Sequence, residues 1–255
     1  MAEINHIEHN TTQHKNTKIM KNLEKTGLLA IALLAGFTTV KAQDKVETKI
    51  SADVVNQYYW RGQDLGDVSL QPTLGLGYKG LSITAWGNVG LSDKEDTKEF
   101  DLTAAYTIAG FNIGVTDYWF NTPNDRYFCY SAHSTSHVFE GNIGYNFGPA
   151  ALQWYTNFAG NDGYNKSNKR AYSSYLEASA PFKLGGCDWI AAVGAVPYAT
   201  SFYSKAGGFA VTNVSVRATK EIKVSDTFSV PIFGQIACNP SNEKAYFVFG
   251  FTLHP

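Results

Sequence analysis

Residues 68–91 alternate between apolar and polar positions. Val68, Leu70, Pro72, Leu74, Leu76 and Tyr78 share one register, continued by Leu81, Ile83, Ala85, Gly87 and Val89. Ser69, Gln71, Thr73, Gly75 and Gly77, then Ser82, Thr84, Trp86 and Asn88, hold the other. Period two is the pattern of a strand whose faces meet different surroundings. Lys79-Gly80 divides the two runs, and glycine there supplies the positive φ of a tight hairpin turn. Each arm is about ten residues long, enough for a tilted strand to cross a bilayer.

The alternation recurs along the chain. It predicts strands at 47–61, 99–108, 111–120, 139–147, 152–158, 172–182, 209–222, 227–236 and 245–253, with a less legible one at 189–196, apolar in both registers. Together with the opening hairpin this makes about twelve strands, an even number, as single-chain bacterial barrels have. Short turns at Lys79-Gly80, Ala109-Gly110, Gly148-Pro149, 183–186 and 223–226 alternate with polar loops at 62–67, 92–98, 121–136, 160–170 and 197–208. Turns this short join only antiparallel strands. The expected fold is all-β: a transmembrane antiparallel up-and-down barrel with short periplasmic turns and longer extracellular loops. A soluble sandwich would not alternate its loop lengths in this way. Pro72 and Pro197 fit a closed sheet poorly, because proline cannot donate to a ladder, and Pro72 is expected to mark a bulge near the outer rim.

The amino end is set apart by its own pattern. Lys21 and Lys25 precede an uncharged run over 26–40 that ends at Val40-Lys41-Ala42, the form of a cleaved secretory signal. The expected organisation is an upstream extension over 1–19, outside the natural product, a signal peptide over 20–42, and a barrel over 43–255. No later run is apolar for eighteen residues, as a membrane helix would require. Mean hydropathy of −0.21 does not argue against a membrane barrel, in which only alternate residues meet lipid. Aromatics at 14% and 23 glycines suit interfacial girdles and crowded, curved strands. A net charge of −1 gives no footprint for nucleic acid. Cys129, Cys187 and Cys238 lack metal or redox spacing and allow at most one bridge.

At residues 56–62 the sequence reads Asn-Gln-Tyr-Tyr-Trp-Arg-Gly and resembles the TorF-type porin family of outer-membrane barrels. The resemblance rests on Tyr59-Trp60-Arg61-Gly62 and continues through Leu70-Gln71-Pro72, Ala85-Trp86-Gly87-Asn88 and Glu99-Phe100-Asp101-Leu102. Two features depart from it: Gln63 to Asp67 replaces a Ser-Asp-rich loop, and the chain ends Leu253-His254-Pro255 without a terminal aromatic. The resemblance implies a barrel with a pore and names no substrate.

Chemistry enters through the polar register. Asp53, Arg61, Glu99, Asp101, Glu140, Glu177, Arg217 and Glu221 are ionisable residues within predicted strands. A cation facing lipid at the midplane costs about 2–4 kcal/mol, so such residues are expected to face the lumen or the rims. Asp53, Arg61, Asp101, Glu140, Glu177 and Arg217 are the lumen-lining candidates. They either line a watery path or pair across the lumen and plug it, and the sequence leaves both open. Acids outnumber bases six to two among the eight, which gives any path a mild cation preference. Trp86, in the polar register, is a candidate for stacking a solute, against a plain packing role. Trp60, Trp119, Trp154, Trp189, Tyr58, Tyr78 and Tyr172 are expected in the interfacial girdles.

His133 and His137, with Ser131, Ser134 and Ser136, could in principle serve as metal ligands or a nucleophile–base pair, but they fall in a polar loop and are read as solvated. The expected function is a porin-like outer-membrane channel for small solutes or ions. It is not an enzyme and uses no cofactor or metal. The expected partners are outer-membrane lipids, the barrel-assembly machinery during insertion and the solutes themselves. The alternatives are a plugged barrel acting through its outer loops and an outer-membrane hydrolase.

Overall fold

The computed structural model describes residues 45–92, 96–121, 126–131, 134–226 and 228–255. The expected signal and upstream extension lie outside these residues, as does His133. Two-residue turns set the hairpins. Lys79 and Gly80 take φ of 48° and 88°, and Ala109 and Gly110 take the same pair, which is the type I′ geometry whose twist matches that of paired strands.

The strands are β1 (Glu47–Val55), β2 (Tyr58–Trp60), β3 (Gln63–Gly66), β4 (Ser69–Tyr78), β5 (Leu81–Gly90), β6 (Lys98–Ile108) and β7 (Phe111–Asn121). They continue as β8 (His137–Asn146), β9 (Ala151–Gly160), β10 (Ser174–Leu184), β11 (Cys187–Val196), β12 (Ala210–Lys223), β13 (Ser229–Asn239) and β14 (Lys244–Leu253). Twelve of them, β1 and β4–β14, close an antiparallel barrel in which sequence neighbours pair and β14 returns to β1. The expected barrel and its alternation of short and long connections are therefore found. Short turns and both ends of the described chain share one end of the barrel. The connections at 56–68, 91–97, 122–136, 161–173, 197–209 and 240–243 share the other.

The outer register is apolar and uncovered: Leu74, Leu76, Ile83, Ile113, Ile143, Phe247 and Phe249 are each more than half exposed. Soluble monomers rarely show apolar patches beyond a few hundred Å², so a belt around the whole barrel is a surface built for lipid. The inner register is polar and aromatic. Its packed groups include Val55, Phe233 and Val248 with Tyr59, and Tyr175, Val196 and Tyr203 with Trp60 and Tyr155.

Two readings of the sequence are corrected, and a third that it left open is completed. The first strand stops at Val55 rather than running to Arg61, and residues 58–66 form a separate two-stranded hairpin, β2–β3. Asn56 makes that departure possible. Its Nδ2 donates to the Phe247 carbonyl at 3.1 Å and its Oδ1 accepts from the Phe249 amide at 2.7 Å. With its own amide donating to the Phe249 carbonyl at 3.1 Å, Asn56 extends the short β1–β14 seam by one more residue through both backbone and side chain. Second, Pro72 makes no bulge. The β4–β5 register is the same on both sides of it, and the ladder skips Gln71 and Pro72, where no proline N–H can be given. Third, β11 is legible once its partners are known: Gly194 faces Glu177 and Asn213, which puts Asp188, Ile190, Ala192 and Gly194 inward.

Candidate functional site

Arg61 and Gly62 take φ of 50° and 89° and reverse the chain within two residues, and the β2–β3 hairpin so formed lies inside the barrel. Its aromatic residues then meet the wall. The Tyr58 hydroxyl donates to Glu99 Oε2 at 2.8 Å, and its ring lies 5.6 Å from Trp86. The Tyr59 hydroxyl donates to Asn213 Oδ1 at 3.0 Å, with its ring 4.7 Å from Tyr246. Trp60 packs against Tyr118, Phe202 and Tyr203. Asn239 Nδ2 donates to the Gly62 carbonyl at 2.8 Å and ties the turn to β13.

At the tip, the Arg61 guanidinium forks onto Glu140 of β8, with Nη1 to Oε2 at 2.5 Å and Nη2 to Oε1 at 3.1 Å. The side chains are 9% and 2% exposed, so this is a buried bidentate pair. The Tyr118 hydroxyl donates to Glu140 Oε1 at 2.8 Å, and the Tyr203 hydroxyl donates to Oε2 while accepting from Arg61 Nη1 at 2.8 Å. Aromatic faces enclose the cation, with Tyr155 3.8 Å, Trp60 4.5 Å and Tyr175 5.0 Å from the guanidinium carbon. Tyr175 in turn crosses bare Gly194 and donates to Glu177 Oε2 at 2.8 Å.

The lumen-lining candidates thus divide. Arg61 and Glu140 meet directly, Glu177 stands behind Tyr175, and Asp101 is buried beside Glu99 below Tyr58. Asp53 and Arg217 lie apart from this cluster. Asp53 accepts from the Thr252 hydroxyl at 2.6 Å, and Arg217 stacks on Phe233 at 3.6 Å. Arg61 itself belongs to the hairpin and not to a wall strand. Trp86 packs against the hairpin. Tyr58 and Trp60 are lumen residues rather than girdle residues, because the chain leaves the sheet before reaching them. Tyr118, Tyr155 and Tyr175 were not among the candidates. Their signal was available, since each is a tyrosine in the polar register of its strand. Tyr203, from a connecting loop, gave none.

On β6–β9 the packing reaches toward the short-turn end: Asn142 and Gln153 both donate to Asn112 Oδ1, at 2.7 and 3.5 Å. Lys49, Ser51, Ser215 and Arg217 keep partial exposure on the opposite wall. The packed zone at the hairpin therefore gives way on this wall to partly exposed side chains.

His137 is not solvated. It is fully buried in the outward register, where Asp117 Oδ1 lies 2.7 Å from Nδ1 and the Tyr127 carbonyl 2.5 Å from Nε2. Tyr127 and Tyr130 close over the ring, so part of the loop after β7 is strapped onto the outer wall. Both ring nitrogens are engaged, neither by a serine. His137→Ala is expected to cost about 1–3 kcal/mol, leaving a carboxylate and a carbonyl unpaired. Faster tryptic cleavage at Arg126 in lipid vesicles, with no change in the lumen, is the check. Among the described residues no group of three or more His, Cys, Asp and Glu is placed to hold a metal, and all three cysteines are free.

No family model matches the chain, and no curated protein does. Among solved structures it is similar to a porin, at 13% identity and a TM-score of 0.36, over 74% of this chain and 62% of the porin's length. It is also similar to an outer membrane channel from Pseudomonas putida F1, at 12% identity and a TM-score of 0.41, over 85% of this chain and 98% of that one.

Proposed function

We propose that this chain is a porin-like outer-membrane channel whose lumen is held shut by the 58–66 hairpin and passes small ions or solutes when the hairpin moves. The observation that carries this reading is the Arg61–Glu140 pair, buried between an inserted hairpin and the barrel wall. A permanent plug could be built from apolar side chains, which pack at lower desolvation cost than an ion pair. An ion pair on a separable element suits a switch. In this reading the short turns face the periplasm and the long loops face outward, after export by a cleaved signal. The lipid-facing belt and the resemblance of residues 59–62 to the TorF-type porins support the same assignment. Glu99, Asp101, Glu140 and Glu177 outnumber Arg61 and Arg217, so an opened path favours cations. A reversal potential favouring anions in a salt gradient would contradict that preference.

The second reading, a plugged barrel acting through its outer loops, is favoured by the depth of packing along β6–β9, where Asn112, Gln153 and Asn157 are buried. One experiment separates the two. Residues 57–67 are replaced by a short Gly-Ser linker, keeping Asn56, and the refolded barrel is placed in a planar bilayer. The channel reading expects rare, brief openings from the parent chain and steady conductance from the variant. Moving a closed state populated at 99:1 to an open one at the same ratio takes about 5.5 kcal/mol, within reach of losing a whole hairpin. Silence from both chains would leave the plugged barrel.

A further inference from the structure

The place that Arg61 fills is a binding site in its own right. Most of it belongs to the barrel and its loops rather than to the hairpin: Glu140 on β8, Tyr118 on β7, Tyr155 on β9, Tyr175 on β10 and Tyr203 from the 197–209 loop. The Tyr118 and Tyr203 hydroxyls, neither of them from the hairpin, also hold the Glu140 carboxylate. The Tyr155 ring offers a flat face 3.8 Å from the guanidinium carbon. A carboxylate presented edge-on beside an aromatic face matches a planar, delocalised cation with paired N–H donors. A compact ammonium could satisfy the charge but neither the fork nor the stacking.

We propose that this pocket is a recognition site for small guanidinium-bearing solutes, occupied in the closed barrel by the chain's own Arg61. This rests on the channel reading for its consequence, that such a solute competes with Arg61 and favours the open state; binding itself does not require conduction. A tethered occupant acts at an effective concentration in the millimolar range, so competition in the intact protein needs solute at or above that level.

The test uses the refolded barrel in detergent micelles, with folding verified by circular dichroism. Guanidinium chloride is titrated by calorimetry at constant ionic strength into the Arg61→Ala variant, with methylammonium and sodium chloride as controls. Saturable one-to-one binding is expected for guanidinium, weaker by roughly tenfold or more for methylammonium and for Arg61→Ala/Glu140→Gln. The linker-for-hairpin variant retains the wall of the site and serves as the second test if Arg61→Ala fails to fold. No saturable binding to a folded variant, or equal binding of guanidinium and methylammonium, overturns the proposal. A barrel that binds guanidinium yet never conducts supports the site and overturns only the channel reading. A barrel that conducts but does not bind does the reverse.

Discussion

Glu140→Gln is expected to release the hairpin and expose Arg61 to trypsin. The substitution keeps the shape of the side chain and an acceptor oxygen for one of the Tyr118 and Tyr203 hydroxyls, but removes the charge that faces a 9%-exposed guanidinium. Removing one member of a buried ion pair costs about 3–5 kcal/mol, because the other is left charged in a poorly solvating site. A wall strand carrying the arginine would have no escape from that penalty. A hairpin has one, since it can carry the guanidinium into water and forfeit its own contacts instead. Cleavage after Arg61 in lipid vesicles reads this directly: the parent chain should resist and Glu140→Gln should be cut while the rest of the barrel stays intact. Conductance in a planar bilayer should rise in parallel. A variant that resists trypsin as well as its parent would show that the pair does not hold the hairpin in place.

The fold could be read from the sequence because a barrel repeats one simple physical constraint. Every wall strand separates lipid from lumen, so Leu74, Ile83, Ile113 and Phe247 announce the outside and Thr73, Thr84 and Asn112 the inside, turn after turn. The hairpin could not be read in the same way. Residues 58–61 continue the polar and apolar alternation of β1 well enough to pass for its extension, and the seam ends at Asn56, whose backbone and side chain both bond to β14 in a way that alternation does not announce. Nor could strand periodicity say which inward charges meet. Arg61 and Glu140 are 79 residues apart and meet only because the hairpin folds back across the lumen. Asp53, Asp101, Glu177 and Arg217 stand in the polar register of their strands, while their partners depend on the stagger of those strands. His137 misled for a related reason: its polar loop suggested water, but part of that loop lies down on the wall and buries it.

Gly62→Ala should dislodge the same hairpin without touching a charge. Gly62 sits at φ +89°, where an L side chain costs roughly 1–2 kcal/mol. An added Cβ would also overlap the Thr212 carbonyl, which is backbone in β12, and crowd Asn239 Nδ2 at 3.0 Å, the atom that ties the turn to β13. Neither neighbour can give way cheaply, and overpacking of this kind adds about 1–3 kcal/mol. Tryptic cleavage after Arg61 and raised conductance are therefore expected here too, with Arg61 and Glu140 both intact. The combination with Glu140→Gln sharpens the point. Once one substitution has opened the hairpin almost fully, a second acting on the same element has nothing left to release, so the readout saturates, whereas substitutions acting on separate elements each add to it. The double variant should be cleaved, and should conduct, about as readily as the stronger single one. Full additivity would mean that the turn and the ion pair restrain different parts of the lumen, and the hairpin would not be a single gate.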